Sequence, residues 1–347
     1  MSAHELNPAT LERLKAPEVI SAFEFHSQRL AALFAGERLE HIFALAGVNA
    51  YSYDVITPWQ QWLPSALDWL ATHAALAEDC ITFRPLIVNW DPRGVHFIDH
   101  LFGADVFQLE DTTWQAYYLE QPIGQLEPPD LEINETWRQC REFALTFTEL
   151  DLPAVTFALP TLSSALNIGV NLYGQRLLET LLMEPEAAHH DLQVINATIR
   201  KLHAWYRANL PAERMQCIVP CGRFQPPGYG QLCGCTCQLV SAGQYAEFLA
   251  PLDGALLGDY PGGGMIHLCG AHFQHIPLWR EMTSLRAVQT NDRASEDLEA
   301  YHQGLREDQI IYPHPCEEMP VERILELTGG RRIVLCAHLT ELMPVRY

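Results

Sequence analysis

Basic charge is what this chain has least of. Against 43 Asp and Glu stand 22 Lys and Arg, a formal net charge of -21 over 347 residues. Such an acidic surface repels phosphate backbones and anionic headgroups, so no nucleic acid and no membrane is expected as a partner. The plainest reading of the charge is solubility. The sequence also lacks any apolar run of about eighteen residues, the length a membrane helix requires. Its first residues, Met1-Ser2-Ala3-His4-Glu5-Leu6-Asn7-Pro8, are polar and carry no secretory pattern, so a cytoplasmic protein is expected. No internal repeat is present, and no Pro-, Gly- or Ser-rich linker divides the chain. No G-x-G-x-x-G follows the first strand-like run, which argues against a dinucleotide fold.

What is present is a large apolar fraction, 48%, enough for one substantial core. Ten cysteines are too dilute for a secreted disulfide framework. They are expected to be reduced, as small buried hydrophobes or as metal ligands. Residues 1 to about 80 read as helical, with apolar residues near 3.6 spacing in 21–33 and 64–76. After residue 80 short apolar runs alternate with helical stretches. The strand-like runs are 86–88, 104–108, 154–158, 216–219, 255–257, 265–269, 285–289, 309–312 and 333–336. Buried strands alternating with helices imply a parallel sheet with helical crossovers. About eight such units suit a (β/α)8 TIM barrel. The expected organisation is therefore an N-terminal helical extension, 1–80, and a barrel catalytic domain, 81–347. A doubly wound open sheet is the alternative.

Gly264-Met265-Ile266-His267-Leu268-Cys269-Gly270 is the most informative stretch. On a strand, His267 and Cys269 face the same way. Cys336 ends another strand-like run, and barrel active sites gather at the C-terminal ends of strands. One imidazole and two thiolates make a zinc site with its fourth position open, the pattern of sites that do chemistry. Cys233-Gly234-Cys235-Thr236-Cys237 offers a second source of thiolates.

The chain resembles the uroporphyrinogen decarboxylase superfamily, on its branch of zinc-dependent, corrinoid-linked methyltransferases. The resemblance rests on the His267-x-Cys269-Gly270 strand end and on Ser241-Ala242-Gly243-Gln244-Tyr245-Ala246-Glu247-Phe248-Leu249-Ala250-Pro251. It rests also on the Pro160-Thr161 loop leading to Glu184-Pro185-Glu186. It covers roughly residues 80 to 347. It implies Zn2+ held by His267, Cys269 and Cys336, and a methyl group moved between a corrinoid on a partner protein and a small thiol. No Arg-rich N-terminal motif of the true decarboxylases is present. Ala242 stands where the family usually has Pro, and the last strand reads Leu335-Cys336-Ala337-His338. A decarboxylase or lyase, with Arg84, Arg93 or Arg223 lining its pocket, and a non-catalytic tetrapyrrole- or corrinoid-binding protein are the alternatives.

Zinc suits thiol chemistry because coordination deprotonates a thiol that is otherwise about 3% ionised at pH 7. Other candidates sit at strand ends. His338 and Tyr312 are expected as catalytic groups, and His272, Asn89 and Asp91 as substrate contacts. His275 and His314 share those neighbourhoods. Trp59, Trp62 and Trp69 read as helix packing.

Overall fold

The computed structural model describes residues 6–52, 57–109, 113–217 and 223–336. Among the described residues thirteen strands occur in chain order: β1 Phe43–Leu45, β2 Val48–Ser52, β3 Thr82–Phe83, β4 Leu86–Trp90, β5 Val106–Gln108, β6 Trp114–Ala116, β7 Val155–Ala158, β8 Met215–Gln216, β9 Gly230–Cys233, β10 Gly264–Leu268, β11 Leu285–Thr290, β12 Ile310–Pro313 and β13 Val334–Cys336. Apart from the antiparallel β5–β6 pair, every ladder among the described residues is parallel. The ladders run β8-β7-β4-β2, β3-β1-β13 and β12-β11-β10-β9.

Local chemistry links these ladders. Pro85 has no N–H and interrupts the run from β3 to β4. Its carbonyl accepts from Val48 N at 2.9 Å, and Ala46 N reaches Phe83 O at 2.8 Å, so the pairing of β1 with β3 continues into that of β2 with β4. A bridge between Ile311 and Ile333 joins β12 to β13. The strands β8 and β9 stand at the ends of this series, and among the described residues no ladder joins them. Side chains span part of the gap: Gln216 Nε2 donates to Gln225 O, and Gln225 Nε2 donates to Gly230 O, each at 2.9 Å.

Side chains alternate across each strand, which sorts the apolar residues into two layers. Phe43, Leu45, Phe83, Ile87, Ala158, Met265, Ala287, Ile310, Val334 and Cys336 form one cluster, drawn from all three parallel ladders. Val48, Val88, Val155, Phe157, Ile266, Val288 and Ile311 face the other way, in a cluster shared with the helices. Those helices include Pro17–Phe34, Trp59–His73, Glu135–Glu149, Ala165–Tyr173, Gln175–Met183, Pro185–Asn209 and Ala250–Gly258. None of the described helices is long and apolar enough to cross a membrane.

The mixed α/β character and the parallel strands agree with expectation; among the described residues the ladders do not close the ring of a barrel. Sheet structure also begins before residue 80, because β1 and β2 pair with β13, β3 and β4. Residues 255–257, expected as a strand, lie inside the helix Ala250–Gly258. A short apolar run has no period of its own to separate the two outcomes. The strand β9 escaped notice because Gly230 and Gln231 give it no strand-like composition.

Glycine is required where β9 meets β10. A Cβ on Gly264 would stand 2.4 Å from Gly230 O, a backbone atom that cannot swing aside. Gly264→Ala is expected to lower the unfolding free energy by about 1–3 kcal/mol in urea melts. Gly243→Ala, whose new methyl group would find Ser241 Oγ at 3.9 Å, is expected to leave it unchanged or slightly raised. Equal melts for Gly264→Ala and the parent chain would contradict this packing.

Candidate metal centre

The β9–β10–β11 register sets Cys233, His267 and Gln289 side by side: His267 pairs with Cys233 on one side and Gln289 on the other. All three lie at or near the C-terminal ends of their strands, and His267 is 4% exposed. Its Nδ1 meets Gln289 Oε1. The Gln289 amide nitrogen is committed elsewhere, to Thr290 O at 3.3 Å and Asn291 Oδ1 at 2.5 Å. The oxygen must therefore face the imidazole, which assigns the ring proton to Nδ1 and leaves Nε2 unprotonated, an acceptor.

That nitrogen faces sulfur. Cys269 Sγ is 3.2 Å from His267 Nε2, Cys235 Sγ is 3.2 Å from Cys269 Sγ, and Cys233 Sγ is 3.5 Å from Cys235 Sγ. Cys235 joins the group because β9 stops at Cys233. Gly234 packs under Ile266, where a Cβ would sit 2.6 Å from Ile266 Cδ1, and the chain then turns through Cys235–Leu239. Cys237 consequently does not share a face with Cys233 and Cys235, as a continued strand would require. It is buried in the helix-side core, and burial pushes its thiol up.

The ligand atoms of Cys233, Cys235 and His267 all lie within 4.8 Å of one another. Arms of about 2.3 Å to sulfur and 2.0–2.1 Å to nitrogen give tetrahedral edges of roughly 3.5–3.8 Å, so small adjustments would close these donors around one zinc ion. Soft thiolates with an imidazole suit zinc rather than a hard cation. The residues present fit such an ion.

Neighbours tune the donors. Asn167, on the helix Ala165–Tyr173, donates from Nδ2 to Cys233 Sγ at 3.1 Å. Its Oδ1 accepts from Thr236 N at 3.1 Å and from the Thr236 hydroxyl. Hydrogen bonding by Cys235 draws the Cys233 thiol down despite burial, with Arg223 and Asn167 assisting. Cys269 is drawn down first by the same Cys235 thiol, while Cys235 keeps its proton. Arg223 Nη2 lies 3.1 Å from His267 Nε2. Burial, then the Arg223 charge, holds the His267 imidazole well below its usual range and so neutral.

Of the expected ligands, the structure brings together His267 and Cys269. Cys336 is buried on β13 in the strand-lined apolar cluster, with its Sγ 3.7 Å from Val334 O, and the sulfurs gathered around His267 are those of Cys233, Cys235 and Cys269. His338 lies outside the described residues. Tyr312 is fully buried and donates to Phe224 O at 2.9 Å. His272 is fully buried, and its Nε2 donates to Cys269 O. His275 does the same for Cys237 O at 2.9 Å, so both histidines hold cysteine-bearing loops. Asp91 accepts from Thr161 N at 2.8 Å, Thr161 Oγ1 at 2.6 Å and Tyr51 OH at 3.0 Å, which latches the Pro160-Thr161 loop to the end of β4. Asn89 is buried on β4. Arg84 pairs with Asp79 and Arg93 donates to Val106 O, whereas Arg223 reaches the sulfur cluster.

Sequence reading missed Asn167 and Gln289. Gln289 becomes legible once β10 and β11 are paired; Asn167 carries no sequence signal. A cavity of about 720 Å3, lined by Arg38, Leu39, Ile42, Glu307, Arg331 and Ile333 among others, opens beside the N-terminal ends of β1, β12 and β13, away from the cysteines.

No protein-family model matches the chain, and no curated protein matches it. Ten solved chains match it in structure. One is a methyltransferase from Methanosarcina mazei, with a TM-score of 0.53 and 10% identity, covering 88% of this chain and 98% of that one. At that identity the likeness is one of fold.

Gln289→Ala should weaken zinc binding about 10–100-fold, as removal of a hydrogen-bond partner behind a ligating histidine does. Competition with a chromophoric chelator measures it, and an unchanged affinity would contradict the role. Behind the centre, burial raises Asp253 to about 7, against the Tyr245 hydroxyl that donates to it at 2.8 Å. A carboxyl raised in the folded state favours folding in its neutral form, so stability is lost as pH rises from about 4 to 7. The loss is at most on the order of 4 kcal/mol. Asp253→Asn should gain on the parent chain between pH 4.5 and 7.5 in urea melts; parallel pH curves would contradict this.

Proposed function

We propose that this chain is a zinc-dependent methyltransferase that moves a methyl group between a corrinoid protein and a small thiol. The observation that carries the reading is the gathering of Cys233, Cys235 and Cys269 around a histidine whose tautomer Gln289 sets, with Cys269 Sγ against its Nε2. The fold likeness to a methyltransferase supports it. So does the placing of the donors at C-terminal strand ends, where barrel enzymes keep their chemistry. We read the linked parallel ladders as one barrel of the (β/α)8 kind that starts at β1 and carries the two-residue β8 as an extra strand, because a single apolar cluster draws on strands of all three. The helices before β1 are its N-terminal extension.

In this reading Cys233, Cys235, Cys269 and His267 hold the metal and Cys336 belongs to the barrel's apolar filling. Zinc bound there would keep a substrate thiol as its thiolate near neutral pH. The protein does the rest. Gln289 aims Nε2, and Asn167 withdraws charge from Cys233 through its N–H. The Arg223 guanidinium supplies positive charge beside the donors, suited to an acid group on the thiol. The apolar cluster beneath keeps the floor dry, which strengthens each of these interactions.

Purified full-length protein should carry one zinc per chain and move the methyl group of methylcobalamin to 2-mercaptoethanol, read from the cobalamin spectrum. Cys235→Ser and His267→Ala should lose the metal and at least tenfold of the rate, while Cys336→Ser keeps both. Protein without zinc, or methyl transfer that survives chelation, would overturn the proposal; chelator-resistant turnover of a carboxylate substrate would point to a lyase.

A further inference from the structure

A second histidine stands at the C-terminal strand ends, with a partner unlike that of His267. After β4 the chain enters the turn Gly94–His96 and the short helix Phe97–Leu101. His96 Nδ1 lies 2.6 Å from Asp99 Oδ2, and Asn171 Nδ2 donates to the same oxygen at 2.9 Å. Asp99 is fully buried, and its Oδ1 has no partner. Burial raises its carboxyl, while His96 and then Asn171 oppose the rise. Among the described residues no Lys or Arg pairs with it, so a proton on His96 is its one balancing charge. An ionised carboxylate only accepts, which fixes the ring proton on Nδ1 and leaves Nε2 an acceptor. That nitrogen has no partner among the described residues, and the His96 side chain keeps 12% of its surface exposed. The two histidines are thus oriented alike and equipped differently. Gln289 is uncharged, which suits a neutral ligand; Asp99 can balance an imidazolium, which suits a base. One helix ties the two together. On Ala165–Tyr173, Asn167 reaches Cys233 Sγ and Asn171 reaches Asp99, and the two asparagines lie about 6 Å apart along its axis.

We propose that His96, held by Asp99, is the general base that takes the proton of the substrate thiol. The inference rests on the reaction proposed above. The S–H bond breaks, and the proton passes to His96 Nε2, directly or through one water. The bonding electron pair stays on sulfur, where it is the nucleophile. His96 becomes an imidazolium beside the Asp99 carboxylate, so the buried pair carries no net charge while the proton is held. The proton returns to solvent when product leaves, and no oxidant or reductant is needed. His96 is then the catalytic group. Asp99 acts through it, and Asn171 fixes Asp99 from the helix that also steadies the cysteines.

The zinc-loaded full chain tests this with methylcobalamin and 2-mercaptoethanol, together with nitrogen-15 NMR of its histidines. His96→Gln should keep its zinc and its circular dichroism spectrum and slow methyl transfer about a hundredfold. His96→Ala should be slowed as much and regain rate in proportion to added imidazole. The parent spectrum in mildly alkaline solution should place the His96 proton on Nδ1. Asp99→Asn, whose side-chain oxygen can keep both contacts, should hold that tautomer yet slow transfer at least tenfold, because the balancing charge is gone. A parent-like rate in His96→Gln would overturn the base, as would a loss that imidazole does not restore or a parent His96 that carries its proton on Nε2. A parent chain that binds no zinc, or binds it and moves no methyl group, would sink the proposed reaction together with this inference; the other outcomes sink the base alone.

Discussion

The hydrogen bond between His267 Nδ1 and Gln289 Oε1 is the contact on which the chemistry depends. A neutral histidine imidazole can carry its proton on either of two distinct ring nitrogens, and its hydrogen-bond partners choose between them. Here the choice is made by an amide whose own N–H groups are spoken for by Thr290 and Asn291. The chain of commitments runs from backbone to amide to ring, and it ends in a lone pair that meets Cys269 Sγ and Arg223 Nη2. Burial reinforces it by keeping the ring neutral, since a charged imidazole at 4% exposure next to Arg223 would meet both desolvation and repulsion.

Register makes that contact possible. Parallel pairing sets Cys233, His267 and Gln289 in a row across β9, β10 and β11, and a one-residue slip would turn every member to the opposite face. The glycines at the start of the row matter for the same reason. Gly264 lets β10 approach the Gly230 carbonyl of β9 where a side chain would collide, Gly230 makes room for the Tyr260 ring, and the row is carried upward from that contact. Beneath the row the apolar filling, from Phe43 to Val334, locks the strands at their spacing. Above it, Asn167 reaches over from a helix that follows β7 and ties the cysteine turn down. Strands, floor and cover are separate elements of the fold, and each presents one face to the same four donors.

How much of this the sequence discloses depends on the range of the interaction. His267 and Cys269 are two apart on a strand, and their shared face follows from strand geometry alone. Parallel α/β character follows equally from the alternation of runs, although β1, β2 and β9 were hidden: Ala46-Gly47 and Pro85 break the first strands into short pieces, and Gly230-Gln231 lacks apolar weight. The third thiolate was harder. Cys336 and Cys235 are both distant from His267 in sequence, and choosing between them requires knowing that β9 ends at Cys233 and turns, while Cys336 points among Phe43, Leu45 and Phe83. Cys237 parts from Cys233 and Cys235 for the same reason, since alternation holds only while the strand lasts. Asp91 and His272 were legible as important polar groups at strand ends. Their partners, Thr161 and Tyr51 for one and a backbone carbonyl for the other, mark them as latches of loops.

The most direct test of the central claim is a crystal structure of the zinc-loaded protein with anomalous data above and below the zinc edge. The account predicts one strong peak about 2.3 Å from the sulfurs of Cys233 and Cys235 and about 2.0–2.1 Å from His267 Nε2, with Gln289 still on Nδ1. A peak coordinated by Cys336 without Cys233 and Cys235, or no peak at this end of the strands, would contradict it.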